Sequence, residues 1–314
     1  MADLLNPIFQ DADKAREWLE ARIWPNGPIC PKCGVVDEAT LMKGKTTRAG
    51  LYQCNACREP FTVTVGTLYE RSKVPLNKWL AATHLMVSSK KGMSALQIGR
   101  LLGLSKKTAW FLCHRIRESL RPTDLAPMGG EGSTVEMDTV YIGGKEKNKH
   151  ADKRAAKPFG AGVKAPAFSL VERDGKVRST HLEKVTAKTL RPILAEQLEK
   201  GTKLYSDAAN VMKRVSLHHR GESQSVNHTI GEYVRGEAHT NTVESYFAIM
   251  KRGITGTYHH VSPVHLKRYL AEFDFRYNER EKLGVNDKMR FEKAIPGIVG
   301  KRMTYRRTDA GNNA

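Results

Sequence analysis

The sequence predicts a multidomain α+β protein, and three features of the chain carry this prediction. Four cysteines near the N-terminus form two closely spaced pairs, helical segments with cap residues follow them, and β-like runs alternate with helices from about residue 133 onward. At 314 residues the chain has room for two or three domains and at least one sizeable core. The predicted boundaries are residues 1–27, 28–68, 72–122, 131–285 and 286–314, the last being a C-terminal tail.

The cysteine pairs predict a structural zinc site. Cys30, Cys33, Cys54 and Cys57 have the spacing C-x₂-C-x₂₀-C-x₂-C, in which each pair closes a tight turn and offers two thiolates to one tetrahedral ion. Four thiolates leave no open coordination position, so we expect zinc to fold this module and to take no part in chemistry. The spacing and the basic loop between the pairs are typical of a zinc ribbon over residues 28–68, after a short N-terminal helix within residues 1–27. Such modules contact nucleic acid or dock on proteins, and the sequence leaves both roles open.

Residues 72–122 are predicted to form a helix-turn-helix domain. Ser94 begins a capping box for one helix, Gly103 turns the chain, and Ser105 can cap the next helix, which is rich in Lys and Arg. In DNA-binding domains of this kind the second helix enters the major groove. The alternative is a plain pair of antiparallel helices whose exposed face carries basic residues. The DNA-binding interpretation predicts contacts from Lys106, Lys107 and Arg115.

The charge of the chain favours a polyanionic partner. The formal net charge is +19, and a field of that sign attracts nucleic acid, whose counterions are released on binding. A membrane surface is disfavoured, because no helix combines a basic face with an exposed aromatic and aliphatic face. The sequence has no apolar run of about 18 residues or more and no visible secretory signal. We therefore expect a cytoplasmic protein that binds double-stranded DNA and no membrane.

Three acids occupy settings that suit a divalent metal site. Asp138 and Asp207 end short apolar, β-like runs, and Glu244 lies in a helical segment. Hard ions such as Mg²⁺ prefer oxygen ligands, and two such ions can activate an attacking oxygen and stabilise a leaving one. If these acids meet in space, they predict phosphoryl transfer on nucleic acid. Glu136 is an alternative to Asp138, because strand alternation places both on one face.

The segment around Glu244 has two distinct helical faces. Val243, Phe247 and Met250 recur at the spacing of a buried stripe, whereas Glu244 and Lys251 share another face. Seven residues of helix put these two side chains roughly 10 Å apart along the axis and pointing the same way. A carboxylate and a lysine placed like this can hold a metal ion and a backbone phosphate together. A plain solvated face is the alternative.

The order of these elements resembles that of RNase H-like nucleases. From about residue 133 the predicted order is strand, hairpin, helix, strand and helix, with acids on the first strand, after the fourth strand and on a later helix. Together with its cysteine module, the chain resembles the zinc-ribbon class of bacterial insertion-sequence transposases with an RNase H-like DDE domain, the ISXO-like group. Central motifs are Val135-Glu-Met-Asp138-Thr-Val-Tyr-Ile-Gly-Gly-Lys145 and His239-Thr-Asn-Thr-Val-Glu244. The other matching segments are residues 30–33, 57–67, 251–260, 274–278 and 300–305.

This resemblance implies an enzyme that binds the inverted-repeat ends of an insertion sequence and catalyses metal-dependent cleavage and strand transfer. Asp138, Asp207 and Glu244 are then the ligands of two Mg²⁺ or Mn²⁺ ions. Because two DNA ends must be brought together, an assembly of at least two chains is expected.

The resemblance also implies roles for residues beside the acids. Asn241 and His239 are expected near the metal as auxiliary groups, and Lys251 is expected to bind the transposon end. Lys145, in a lysine-rich stretch, and Arg252 are the remaining predicted DNA contacts.

One position departs from the family pattern. Such transposases commonly carry an acid directly after the first catalytic aspartate, and this chain has Thr139. The departure leaves an alternative function, a catalytically inactive DNA-binding protein of transposase descent that acts as a repressor or end-binding factor.

Overall fold

The computed structural model describes residues 4–123, 125–144, 150, 164–219 and 221–304, which fold as two units. One unit contains the described residues up to Arg121 and those from Gly284 onward, and the other extends from Pro122 to Leu283. Lys145, a predicted DNA contact, lies outside the described residues. Within the described part of the chain, no helix is long and apolar enough to cross a membrane.

The first unit begins with two helices, a small sheet and three further helices. In chain order these are α1 (Pro7–Gln10), α2 (Ala12–Ile23), β1 (Ala39–Leu41), β2 (Tyr52–Cys54), β3 (Pro60–Phe61), α3 (Leu76–Ser88), α4 (Ala95–Leu102) and α5 (Lys106–Ser119). The three strands form an antiparallel sheet in the order β1-β2-β3.

Cap residues set both ends of α4 and the start of α5, as the sequence predicts. The Ser94 hydroxyl accepts a hydrogen bond from the Gln97 N–H at 3.2 Å, and the Ser105 hydroxyl accepts one from the Thr108 N–H at 3.2 Å. Gly103 ends α4 in the left-handed conformation, with φ of 61°, which residues with a Cβ rarely adopt. Helices α4 and α5 are therefore joined by a short turn, and α3 packs against both.

In the second unit a five-stranded sheet carries helices on both faces. Its elements are β4 (Thr134–Ile142), β5 (Ala165–Glu172), β6 (Val177–His181), α6 (Ala187–Gln197), β7 (Lys203–Asp207), α7 (Asn210–Ser216), β8 (Ser223–Val226), β9 (Val234–Arg235), β10 (Ala238–His239), α8 (Asn241–Gly253) and α9 (Pro263–Asn278). The sheet order is β6-β5-β4-β7-β8, in which β6, β5 and β4 are antiparallel neighbours and β4, β7 and β8 run parallel. Strands β9 and β10 form a separate hairpin before α8.

Alternation along β4 directs its side chains into two different cores. Met137 lies in a cluster with side chains of α6 and α7, whereas Val140 and Ile142 lie in a cluster with side chains of α8 and α9. The even-numbered residues of β4 therefore face α8. Glu136 and Asp138 are on this face, as the sequence predicts.

A helix near the C-terminus differs from the sequence prediction, which assigns residues 286–314 to a tail. Helix α10 (Asp287–Ala294) belongs to the first unit and packs against α3. Asn286 caps it by accepting a hydrogen bond from the Met289 N–H at 2.9 Å, and Phe291 is buried. Apolar residues are sparse in this stretch, so the helical period is weak in the sequence.

Candidate active site and cysteine cluster

The four paired cysteines lie together in the first unit. Their sulfur atoms are all within 4.8 Å of one another, with 3.6 Å between Cys30 and Cys57 and 3.6 Å between Cys33 and Cys54. Around a tetrahedral ion with Zn–S bonds of about 2.3 Å, sulfur atoms are roughly 3.8 Å apart. The cluster therefore fits one zinc ion, as the spacing predicts.

Backbone groups around Cys30 favour its thiolate form. Burial opposes ionisation of the Cys30 thiol, but hydrogen bonds from the N–H groups of Cys33 and Lys32 lower its pKa to about 7. The thiolate is the form that binds metal, so these hydrogen bonds favour the form that zinc requires at Cys30. At Cys33 and Cys57, despite hydrogen bonds from backbone N–H groups, burial and the neighbouring sulfur atoms raise the pKa of the thiols.

In the second unit, Asp138 and Asp207 lie on neighbouring parallel strands. The β4–β7 register pairs Met137 with Ser206, so the next residue along each strand is an aspartate at the same end of the pair. Both aspartates are partly exposed. The structure thus brings together two of the three acids that the sequence singles out.

Glu244 lies in the first turn of α8, which packs over β4. Its Oε1 accepts a hydrogen bond from the Thr240 hydroxyl at 2.9 Å and lies 3.6 Å from Nδ1 of His228. The other ring nitrogen of His228, Nε2, is 3.4 Å from the Thr240 hydroxyl. The sequence contains no signal for His228 as a site residue, because this residue begins a single turn of 3₁₀ helix (His228–Ile230) that is too short for a periodic pattern.

The surroundings raise the pKa of Asp138 to about 7. Burial is the largest cause and the negative charges of Asp207 and Glu244 add to it, whereas the Thr139 N–H and the Lys251 ammonium act in the opposite direction. Asp138 is therefore under the influence of two other carboxylates and one ammonium, an excess of negative charge. A divalent cation neutralises such an excess of negative charge, so the donor set fits Mg²⁺ or Mn²⁺.

The three carboxylates do not close around a single point. Among the described residues, the four cysteines are the only group of three or more His, Cys, Asp or Glu side chains whose ligand atoms all lie within 4.8 Å of one another. The acids are therefore spaced more widely than the sulfur atoms of the cysteine cluster.

Glu136, the alternative to Asp138, is fully buried and surrounded by donors. Its carboxylate accepts hydrogen bonds from Arg173 Nε at 2.8 Å, from the Thr242 N–H at 2.8 Å and from the Val243 N–H at 3.0 Å. The Thr242 hydroxyl donates at 2.9 Å, and Nδ1 of His239 lies 3.1 Å away. None of the Glu136 surface is exposed, so protein groups occupy the positions that a metal ion needs.

The remaining predicted residues of α8 are exposed. Asn241 is its first residue, and Lys251 follows Glu244 by two turns on the predicted face. Arg252 donates a hydrogen bond from Nε to the Ala248 carbonyl at 3.1 Å.

The basic residues of α5 fall into two environments. Lys106 and Lys107 are exposed in the first turn. Arg115 is only 8% exposed, its guanidinium donates to the Glu70 carbonyl at 2.9 Å, and it lies over the ring of Trp79. This buried position does not fit the predicted contact between Arg115 and DNA, because the guanidinium is used inside the unit.

Two family models match the chain. The model of the ISXO2-like transposase domain matches residues 129–278, and that of the transposase zinc-ribbon domain matches residues 10–59. The first match contains Asp138, Asp207 and Glu244, and the second contains all four paired cysteines.

Similarity also extends over most of the length of one relative. A protein of Halobacterium salinarum, named as an uncharacterized protein in transposable element ISH50, is 28% identical over 277 residues, which cover 85% of this chain and 91% of that protein. Among solved structures, a chain of the simian T-cell lymphotropic virus intasome in complex with PP2A regulatory subunit B56 gamma aligns with 13% identity and a TM-score of 0.28. That alignment covers 55% of this chain and 61% of the other, less than two thirds of its length.

Proposed function

From the matches to the ISXO2-like transposase domain and the transposase zinc-ribbon domain, we propose that the chain is an active DDE transposase of this family. It binds the ends of an insertion element and cuts and joins DNA with divalent ions held by Asp138, Asp207 and Glu244. The strongest support is the position of the two aspartates on neighbouring parallel strands, beside the helix that carries the glutamate. The mixed sheet with helices on both faces is compatible with the expected RNase H-like domain.

Asp138 is a better candidate for the first metal ligand than Glu136. Asp138 is partly exposed and close to two other acids, whereas Glu136 is enclosed by protein donors. Thr139, the departure from the family pattern, follows Asp138 on the strand and so points to the opposite face of the sheet. An acid missing at that position therefore removes no ligand from the proposed site, which favours activity over an inactive DNA-binding role.

The proposed mechanism depends on positioning and charge. When bound, the ions supply activation of the attacking oxygen and stabilisation of the leaving oxygen. Thr240 and His228 orient the Glu244 carboxylate through contacts of 2.9 Å and 3.6 Å. The exposed Lys251 can pair with a backbone phosphate of the DNA end. No covalent bond between protein and DNA is needed for chemistry of this kind.

The first unit is proposed to bind double-stranded DNA. Helices α4 and α5 follow each other through a glycine turn, and α5 exposes Lys106 and Lys107 at the end that enters the groove in a helix-turn-helix. The net charge of +19 supplies the sequence-independent attraction. Because two transposon ends react together, we propose that at least two chains assemble on DNA.

A strand-transfer assay tests this function. The substrate is a plasmid with a marker between the DNA segments that flank the gene, incubated with Mg²⁺ or Mn²⁺. We expect wild-type protein to yield cleaved and joined products and Glu244→Gln to yield none, because the variant loses a carboxylate ligand. Glu196→Gln, an exposed glutamate on α6, is the matched control and is expected to retain activity. If wild-type protein gives no metal-dependent product, the proposed activity is wrong.

A further inference from the structure

A buried ion pair lies next to the candidate active site, and the proposed chemistry leaves it unused. Glu136 has no exposed surface, and Arg173 donates to it from Nε at 2.8 Å. Removing a carboxylate from water is unfavourable unless an opposite charge and hydrogen bonds compensate it. Glu136 has both, and its partners show which parts of the fold it connects.

Glu136 takes the place of an N-cap residue for α8. Thr240, at the N-cap position, makes no side-chain capping hydrogen bond, because its hydroxyl donates to Glu244. The first-turn N–H groups of Thr242 and Val243 donate instead to the Glu136 carboxylate on β4. A negative charge at this end also interacts favourably with the helix dipole. The strand therefore caps the helix that carries Glu244.

Arg173 extends this contact to the segment before α8 and to β7. Its Nη2 donates to the carbonyl groups of Glu237 at 2.9 Å and of His239 at 3.3 Å. Its guanidinium carbon lies 5.0 Å from the centroid of the Tyr205 ring, a cation–π arrangement. Tyr205 is on β7, two residues before the aspartate that ends this strand.

We propose that Glu136 and Arg173 form a positioning clamp for the three acids. The pair contacts each element that carries one of them: β4 with Asp138, β7 with Asp207 and α8 with Glu244. It sets their relative placement without binding a metal ion, because Glu136 is enclosed by protein donors. This inference rests on the proposed function, since a fixed separation of the acids matters for chemistry only if they hold the catalytic ions.

Hydrogen–deuterium exchange of the metal-free protein tests the clamp without DNA. Glu136→Gln keeps the side-chain volume but loses the charge and one acceptor oxygen. We expect the amides of Thr242 and Val243 to exchange at least about tenfold faster, because local opening of the first helical turn becomes easier. Glu172→Gln, the same change at the end of β5, is the matched control and is expected to leave these amides unchanged. Unchanged exchange in Glu136→Gln overturns the clamp.

A second variant tests the clamp independently of whether Glu136→Gln folds. Arg173→Lys keeps the positive charge but loses the forked guanidinium that reaches Glu136 and the two carbonyl groups together. We expect faster exchange at the same amides, and the double variant with Glu136→Gln is expected to differ little from the more affected single variant. Fully additive effects contradict a clamp that acts as one unit.

Titration with Mn²⁺, followed by electron paramagnetic resonance, distinguishes a positioning residue from a ligand. We expect Glu136→Gln to weaken Mn²⁺ binding by about tenfold, the scale typical of groups that orient metal ligands, and Asp138→Asn to abolish a site. Loss of a site in Glu136→Gln makes Glu136 a ligand and overturns the clamp. If wild-type protein binds no Mn²⁺ at these acids, the proposed function fails, whereas the exchange measurement still decides whether the clamp exists.

Discussion

Glu136 and Asp138 lie two residues apart on one face of β4, yet their surroundings are opposite. Glu136 has no exposed surface. It accepts hydrogen bonds from Arg173, which directly follows β5, and from backbone N–H groups in the first turn of α8. Asp138 is partly exposed, and its burial together with the nearby charges of Asp207 and Glu244 raises its pKa to about 7. One carboxylate is satisfied by the protein, and the other is available to a ligand.

This contrast predicts different effects on stability in the metal-free protein. Glu136→Ala is expected to lower the free energy of unfolding by about 3–5 kcal/mol, because it leaves the Arg173 guanidinium without its buried partner. Asp138→Asn is expected to be neutral or stabilising at pH 8, because the amide removes a charge that burial disfavours. Urea unfolding followed by circular dichroism measures both. Equal destabilisation by the two substitutions contradicts the assignment of separate roles.

Asp274 on α9 predicts a pH dependence of stability. Burial raises the pKa of this carboxyl to about 6, although the Tyr246 hydroxyl and the Ser179 N–H donate to it. Between about pH 4 and pH 6 the group is ionised in the unfolded chain and protonated in the folded one, so its contribution to stability falls as pH rises. This rise in the pKa of Asp274 corresponds to at most about 3 kcal/mol of stability.

Asp274→Asn cannot ionise, so it isolates this contribution. Relative to wild type, the unfolding free energy of the variant is expected to increase as pH rises from 4 to 6. Urea unfolding at several pH values in this window gives the difference, in which the other titrating groups cancel. A difference that is independent of pH shows that Asp274 does not titrate in this range.

Removal of zinc is predicted to unfold the ribbon. Four thiolates around one ion supply much of the folding free energy of so small a module. Purified protein should release one zinc per chain to a chelator, and residues 28–61 should then lose protection from hydrogen exchange. Cys33→Ser is expected to weaken zinc retention, whereas Cys113→Ser, at a cysteine outside the cluster, is the control. Stable protection of the ribbon without metal contradicts a structural role for zinc.

Lys106 and Lys107 are exposed on α5, whereas Arg115 is buried. Substitutions at the lysines and at Arg115 are therefore predicted to affect DNA binding and protein stability separately. Lys106→Ala with Lys107→Ala is expected to weaken DNA binding, to reduce the slope of log K against log salt by roughly 2, and to leave the melting temperature unchanged. Arg115→Ala is expected to cost about 2 kcal/mol of stability through its lost hydrogen bond and packing. Binding titrations at several salt concentrations and thermal unfolding measure the two effects. A salt slope unchanged by the double lysine substitution means that α5 does not contact phosphates.

Signals within a short stretch of sequence predict the cysteine cluster, both ends of α4, the start of α5 and the positions of two aspartates at the ends of strands. Two-residue spacing within each cysteine pair requires a tight turn, and Ser94 and Ser105 each accept a hydrogen bond from three residues ahead. Asp138 and Asp207 end apolar runs that form strands. Each of these signals lies within a few residues of the feature that it predicts.

Long-range contacts explain what the sequence did not reveal. Glu136 and the Thr242 N–H are 106 residues apart in the chain, so nothing near Glu136 indicates that it caps a helix. In the sequence, Arg115 cannot be distinguished from an exposed basic residue of a helix. Its hydrogen bond to the Glu70 carbonyl, 45 residues away, shows that it points inward. His228 likewise meets Glu244 only through the fold of the segment before α8.

The most direct test of the central claim is a change of metal preference at Asp138. Mg²⁺ requires oxygen ligands, whereas Mn²⁺ accepts a thiolate more readily. Strand transfer by Asp138→Cys is therefore expected to be lost with Mg²⁺ and to recover by about tenfold or more with Mn²⁺, while Glu136→Cys shows no recovery with either ion. Recovery by Glu136→Cys, with none by Asp138→Cys, would place the metal on Glu136 and contradict this account of the active site.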